Sequence, residues 1–246
     1  AYVMFDHVRI VLVETSHPGN IGATARAMKN MGLSQLVMVK PQEYPSGKAT
    51  AMAASADNIL AEAKIVDTLE EAIVGCTVVI GSSARPRSHD CITLSPSEAG
   101  VRVSGEFAKQ QIAIVFGRER TGLTNEELQH CQYRLHIPAN PDYSSLNVAQ
   151  SVQVICYELR MAALGHKEPE TERELVPVED MEQFYKHLEA TLIDLEFLDP
   201  TNPGQLMLKL RRIFNRAQLE PKEHNLLRGV WSAAQGKKIE YLKNVR

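Results

Sequence analysis

Four short, almost unbroken apolar runs constrain this chain more than any other feature. They are "VRIVLVE" (8–14), "QLVMVK" (35–40), "TVVIGSS" (77–83) and "IAIVF" (112–116), rich in β-branched residues and without polar alternation. A strand with one wet face alternates in polarity. One that is apolar at nearly every position is covered on both faces, as in a parallel sheet between helix layers. Helix candidates fall between these runs: 21–31, closed by Gly32; the alanine-rich 50–63; and 68–74, closed by Gly75. Residues 125–131 read as a further helix, 133–137 as a short strand, and 147–164 as a long helix ending at Gly165. Strands alternating with helices predict an α/β fold, a parallel sheet with helices on both faces.

A boundary follows. "GHKEPETERELVPVED" (165–180) is polar, carries two prolines and lacks periodicity, so it reads as a linker after a domain spanning 1–164. Residues 181–246 are patterned as helices only, at 181–197, 205–217 and 221–235, and predict a small all-helical C-terminal domain. Its charge is divided: 168–199 holds eleven acidic and two basic residues, 205–246 ten basic and three acidic. "KLRRIFNR" places Lys209, Arg211, Arg212 and Arg216 within two turns of one helix, leaving Leu210, Ile213 and Phe214 for its core. Such a cation cluster predicts contact with a polyanion, and makes these four the RNA-binding candidates.

The net charge of −3 argues against indiscriminate nucleic-acid binding by the whole surface, while leaving room for such a local patch. Cys76, Cys91, Cys131 and Cys156 form no C-x-x-C pair and read as reduced structural cysteines. No apolar run approaches the ~18 residues of a membrane span, and no signal-peptide pattern opens the chain, so the expectation is a cytoplasmic protein with no membrane partner. Dinucleotide, P-loop and nucleophile-elbow motifs are missing, and the eight histidines have no metal spacing, so no metal is expected. A ligand at the strand ends must then be held by backbone groups and small residues.

Four segments after predicted strands carry polar residues suited to that. In "TSHPGNIGATARAM" (15–28) Asn20 is placed to cap a helix, Gly22 admits another backbone, and Arg26 projects from the second turn. "IGSSARPRS" (80–88) sets small residues and two arginines at a carboxyl strand end, the edge where open α/β sheets bind ligands. "FGRERTGL" (116–123) encloses Arg118, Glu119 and Arg120 between two glycines. "IPANPDYSSLNVA" (137–149) feeds a helix, with Ser144 and Ser145 at its entry.

Together, "NIGATARAM" (20–28), "IVFGRERTGL" (114–123) and "IPANPDYSSLNVAQSV" (137–152) resemble, in order, the three signatures of the SPOUT superfamily, in its SpoU-like branch of RNA ribose 2′-O-methyltransferases. The resemblance covers about residues 6–164. It implies a C-terminal trefoil knot, formed by about 112–164, that cradles S-adenosylmethionine. It also implies a homodimer whose active site is completed across the interface. Carried over residue by residue, Ser82, Ser83, Ala84, Gly117, Ile137, Ser144, Ser145 and Leu146 are expected to hold the cofactor. Arg26 is expected to be catalytic with Ser145, and Asn20, Glu119 and Asn147 to support the substrate. Gly117 is expected to let the adenosine lie against the backbone, and Arg118, Glu119 and Arg120 to form an RNA-facing rim in which Glu119 orients an arginine or a substrate group. The wording around Asn20 and Ser145, with a helical extension, is similar to members that methylate cytidine or uridine at position 32 of the tRNA anticodon loop. A ribosomal-RNA enzyme and a catalytically silent RNA-binding protein are the alternatives; Arg26, Glu119 and Ser145 speak against the silent one.

Overall fold

The computed structural model describes residues 5–84, 91–165 and 174–236. The chain divides into two compact units, Ala1–Arg173 and Glu174–Arg246. In the first, seven strands form one sheet: β1 (Val8–Val13), β2 (Gln35–Val39), β3 (Lys64–Val66), β4 (Val78–Ser82), β5 (Ile92–Leu94), β6 (Ile112–Phe116) and β7 (Tyr133–Leu135). Their order is β3-β2-β1-β6-β4-β7-β5, and every pairing is parallel. All five side chains of β6 are buried, so both faces of the sheet centre are covered.

The helices of this unit are α1 (Pro18–Met31), α2 (Gly47–Ala53), α3 (Asp57–Glu62), α4 (Leu69–Ile73), α5 (Pro96–Ser104), α6 (Asn125–Gln129) and α7 (Val148–Gly165). Helix α7 packs against both α1 and α5. Helix α1 starts three residues before the sequence pattern suggests. Pro18 occupies its first turn, where a missing N–H costs nothing and φ is already helical. Asn20 therefore lies inside the helix rather than capping it, and Arg26 falls in the third turn. The alanine-rich segment 50–63 is not one helix. It breaks at Ala54, whose φ is +50°, where Lys29 of α1 donates to the Ser55 carbonyl and to Asn58. Local propensity favours a continuous helix there, and tertiary contact overrides it.

Strands β3 and β5 were not expected from the sequence, being three residues each and too short to show a period. Helix α5 was also unexpected, although "SPSE" announces it: Ser95 and Glu98 form a reciprocal capping box with Pro96 at the first position.

Close backbone approaches fix the layering. A Cβ on Gly22 would sit 2.0 Å from the carbonyl oxygen of Ala49 in α2, and one on Gly100 of α5 would sit 2.6 Å from the carbonyl of Glu158 in α7. Glycine at 22 thus admits another backbone, as its place in the sequence suggests.

The second unit holds α8 (Val178–Asp194), α9 (Leu206–Ala217) and α10 (Pro221–Ala234). Phe184 is its hub, with ring centroids 4.9 Å from Phe214 and 4.2 Å from Trp231 in edge-on contacts, joined by Met181, Leu188 and Leu219. Among the described residues no helix is long and apolar enough to cross a membrane.

Gly22→Ala is expected to cost roughly 1–3 kcal/mol, because a backbone oxygen cannot yield as a side chain can. Gly47→Ala, with nothing within 4 Å of the added methyl, should be neutral or stabilising by up to about 1 kcal/mol. Urea unfolding of both variants measures the contrast.

Candidate functional site

Strands β4, β6 and β7 end side by side, and the segments leaving their carboxyl ends enclose a cavity of about 510 Å³. It opens at the carboxyl ends of the strands, the edge where open α/β sheets bind ligands. Ser82, Ser83 and Ala84 form one wall, Gly117 to Leu123 a second, and Ile137 with Ser144, Ser145 and Leu146 a third. Every residue assigned to the cofactor by resemblance lines this one cavity. Arg85 to Ser88, the two arginines of "ARPRS" included, lie outside the described residues.

The turn after β6 explains its charges. Arg118 points into the protein rather than onto an RNA-facing rim. Its Nε donates to Glu14 at 2.7 Å and its two terminal nitrogens to Glu127 at 3.0 Å each, tying the end of β1 to α6. Glu14 and Glu127 drive the Arg118 pKa further up, so the guanidinium is permanently charged. The hydrogen bond from Arg118 holds the Glu14 carboxyl below its ordinary range.

Glu119 is also turned inward. Its carboxylate accepts from the Ser16 amide at 3.1 Å, the Ser16 hydroxyl at 3.1 Å, the His17 amide at 3.2 Å and Asn20 Nδ2 at 3.0 Å. It therefore orients the entry of α1, and among the described residues no arginine is held by it. Burial opposes its ionisation, yet the bonds from Asn20, Ser16 and His17 together leave its pKa lowered. Arg120 stays exposed.

Gly117 lines the cavity and also meets a constraint within the chain. A Cβ there would lie 2.1 Å from the Gly122 carbonyl carbon and 2.2 Å from the Leu123 nitrogen. The glycine lets the turn fold back on the strand, and Gly122 completes that turn with φ +68°.

The serines do not cap α7. Asn147 does, its Oδ1 accepting from the Ala149 and Gln150 amides at 2.9 and 3.3 Å. Asn147 Nδ2 donates at 2.9 Å to Asn20 Oδ1, whose own amide donates to Glu119. A chain Asn147–Asn20–Glu119 thus joins α1 to two segments that lie 99 and 127 residues away in sequence. Arg26 stands on the far side of it, in a second groove of about 440 Å³ that also carries Asn20 and Asn147. Within one chain Arg26 does not line the cavity that holds Ser145. His17 and Lys48 also line the second groove, and nothing in their sequence spacing marks them.

In the C-terminal unit the expected RNA-binding set splits. Arg211 is bidentate to Glu182 at 2.7 and 2.6 Å and lies over the Tyr185 ring at 4.3 Å, so its charge is spent inside the unit. Lys209 and Arg216 are exposed and Arg212 half-exposed; Ile213 faces out rather than into the core.

Glu119→Gln removes a charge and one acceptor oxygen from four donors. At neutral pH it should cost about 1–2 kcal/mol. Because the folded-state pKa lies below the ordinary value, this stabilisation is full above about pH 4.3 and disappears as pH falls through the folded value. Thermal unfolding from pH 3 to 8 should show the variant less stable at neutral pH, with a shallower decline in acid.

Two family models match the chain: one described as the SpoU rRNA Methylase family over residues 7–157, and one described as the tRNA methyltransferase TrmJ, C-terminal domain, over 179–243. The tRNA (cytidine/uridine-2′-O-)-methyltransferase TrmJ of Pectobacterium atrosepticum is 51% identical over 236 residues, covering 94% of this chain and 98% of that protein. The crystal structure of TrmJ from Z. mobilis superposes with a TM-score of 0.80 at 30% identity, over 92% of this chain and 97% of that one. The SpoU methyltransferase AviRb from Streptomyces viridochromogenes, in complex with AdoMet, shares the fold: TM-score 0.52, 22% identity, 67% and 63% of the two chains covered. The chain belongs to the SpoU methylase family of RNA-methylating enzymes, and carries the helical C-terminal domain of the TrmJ proteins.

Proposed function

We propose that this protein methylates the ribose 2′-hydroxyl of cytidine or uridine at nucleotide 32 of tRNA, using S-adenosylmethionine. The observation that carries the reading is the conjunction of the strand-end cavity with a neighbouring groove presenting Arg26. Membership of the family supports the reaction, and the C-terminal match over 179–243 favours tRNA over ribosomal RNA. We extend the proposal to a knotted arrangement of 112–164, a homodimer, a cytoplasmic location, and a boundary at 165–180 between the methyltransferase domain and an RNA-binding extension.

The residues present suit the cofactor. A volume of about 510 Å³ falls in the range of small-molecule sites. Phe116, Leu123, Ile137 and Leu146 offer apolar walls for a base, and Ser82, Ser144 and Ser145 offer hydroxyls for the ribose and amino-acid parts. When bound, S-adenosylmethionine supplies an electrophilic sulfonium methyl, so no metal is required.

The chain's own task is to align the 2′-hydroxyl and ease its deprotonation. Alignment alone contributes up to ~7–11 kcal/mol in favourable systems. Arg26 is exposed and, among the described residues, has no hydrogen-bond or ion-pair partner, so its charge is available. A guanidinium with a pKa above ~12 is a poor base, and Arg26 acts by stabilising the forming alkoxide. Ser145, on the cofactor side, positions the reacting group. Because Arg26 and Ser145 line separate cavities in one chain, we assign completion of the site to a second protomer. Tyr157, Met161 and Leu164, exposed along α7, offer apolar surface for that contact.

Arg26→Lys should keep cofactor affinity in calorimetry while turnover falls at least ~100-fold; a fully active lysine variant would sink the electrostatic role. Mapping 2′-O-methyl groups in tRNA from cells with and without the protein tests the reading as a whole. In the second unit, Arg216→Ala should weaken tRNA binding and flatten its salt dependence without unfolding. Arg211→Ala should lower the melting temperature instead, because it removes both charge-assisted hydrogen bonds from Arg211 to Glu182.

A further inference from the structure

The groove that presents Arg26 is built for more than one arginine. His17, Arg26 and Lys48 all line it, with the amides of Asn20, Asn147 and Gln150, and among the described residues no carboxylate does. In a chain of net charge −3, such a groove concentrates positive potential and selects anions.

Lys48 is aimed rather than loose. Its Nζ lies 3.1 Å from His17 Nε2. An ammonium can only donate, so His17 Nε2 accepts, which places the imidazole proton on Nδ1. The ring is seated in turn by Gly19. A Cβ there would stand 3.0 Å from His17 Cε1 and Nδ1, so any larger residue would push the ring from its place across the start of α1 by a few tenths of an ångström. The backbone of His17 is fixed from the other side by Glu119. A lysine on α2 is thus held over the N-terminal part of α1, along the helix that carries Arg26.

We propose that Lys48, positioned by His17, forms a phosphate subsite that takes an RNA phosphodiester flanking the nucleotide addressed by Arg26. The inference rests on the methyltransferase reading above and extends it to two residues outside the three sequence signatures. The groove, about 440 Å³, is of nucleotide size. The hydroxyl to be deprotonated lies beside a phosphodiester in any RNA strand, so a cation near Arg26 anchors the strand without reading its bases.

The test uses the full chain, an unmodified tRNA transcript and labelled S-adenosylmethionine, with tRNA binding measured separately over a range of salt. Lys48 is exposed, so its replacement does not threaten folding. Lys48→Gln should raise the KM for tRNA on the order of tenfold, with kcat within about twofold, and reduce the slope of log affinity against log salt by ~0.7. Cofactor affinity and sedimentation behaviour should not change. Lys48→Arg should restore most of the loss, and Gly19→Ala, which displaces the His17 ring, should reproduce part of it. An unchanged KM and salt slope in Lys48→Gln would overturn the subsite, as would an arginine variant no better than glutamine. A wild-type protein that transfers no methyl group to tRNA refutes the methyltransferase reading instead; the salt slope of binding still decides the subsite in that case.

Discussion

The carboxylate of Glu119 is the point on which the site's geometry depends. It sits at the end of β6, a strand buried along its whole length and therefore fixed in position. From there it gathers two backbone amides and two side-chain donors from the entry of α1. Arg118, beside it, reaches the opposite way to the end of β1 and to α6. Two adjacent residues of opposite charge thus brace β6 against the β1–α1 junction and α6. A charge-assisted bond in a partly shielded site is stronger than a neutral one, and an unmade partner is costly, so the arrangement has little slack.

That brace sets the relation between the two cavities. Glu119 lines the strand-end cavity and holds Asn20, which lines the Arg26 groove; Asn147 lines the groove and caps α7. Rigid coupling suits a reaction whose barrier is lowered mainly by alignment, because a small misplacement forfeits much of the gain. His17 is fixed by the same carboxylate, so the histidine that aims Lys48 shares its anchor with the helix bearing Arg26.

Much of this was legible in the chain itself. The four apolar runs became β1, β2, β4 and β6 within a residue or two, because complete burial leaves an unambiguous signature. Gly32 and Thr68 marked a helix end and a helix start by the local chemistry of caps. The short edge strands were not legible, since three residues carry no period and are strands only because β2 and β7 pair with them. The break at Ala54 was hidden because alanine favours helix everywhere and the reason for the break lies on α1. Gly117 lines the cavity, and it also lies against the chain's own returning turn, an approach that the sequence does not reveal.

By itself the sequence determined the fold class and the residues that line the strand-end cavity, because burial and signature motifs are local along the chain. Tertiary structure decided what those residues touch. It spent Arg118 and Arg211 on internal ion pairs, turned Glu119 from the rim to the brace, and put Arg26 in a groove separate from Ser145. It also brought Lys48 to His17 across 31 positions of sequence. Whether a charge is free or committed depends on partners distant along the chain, and only folding brings them within hydrogen-bond reach.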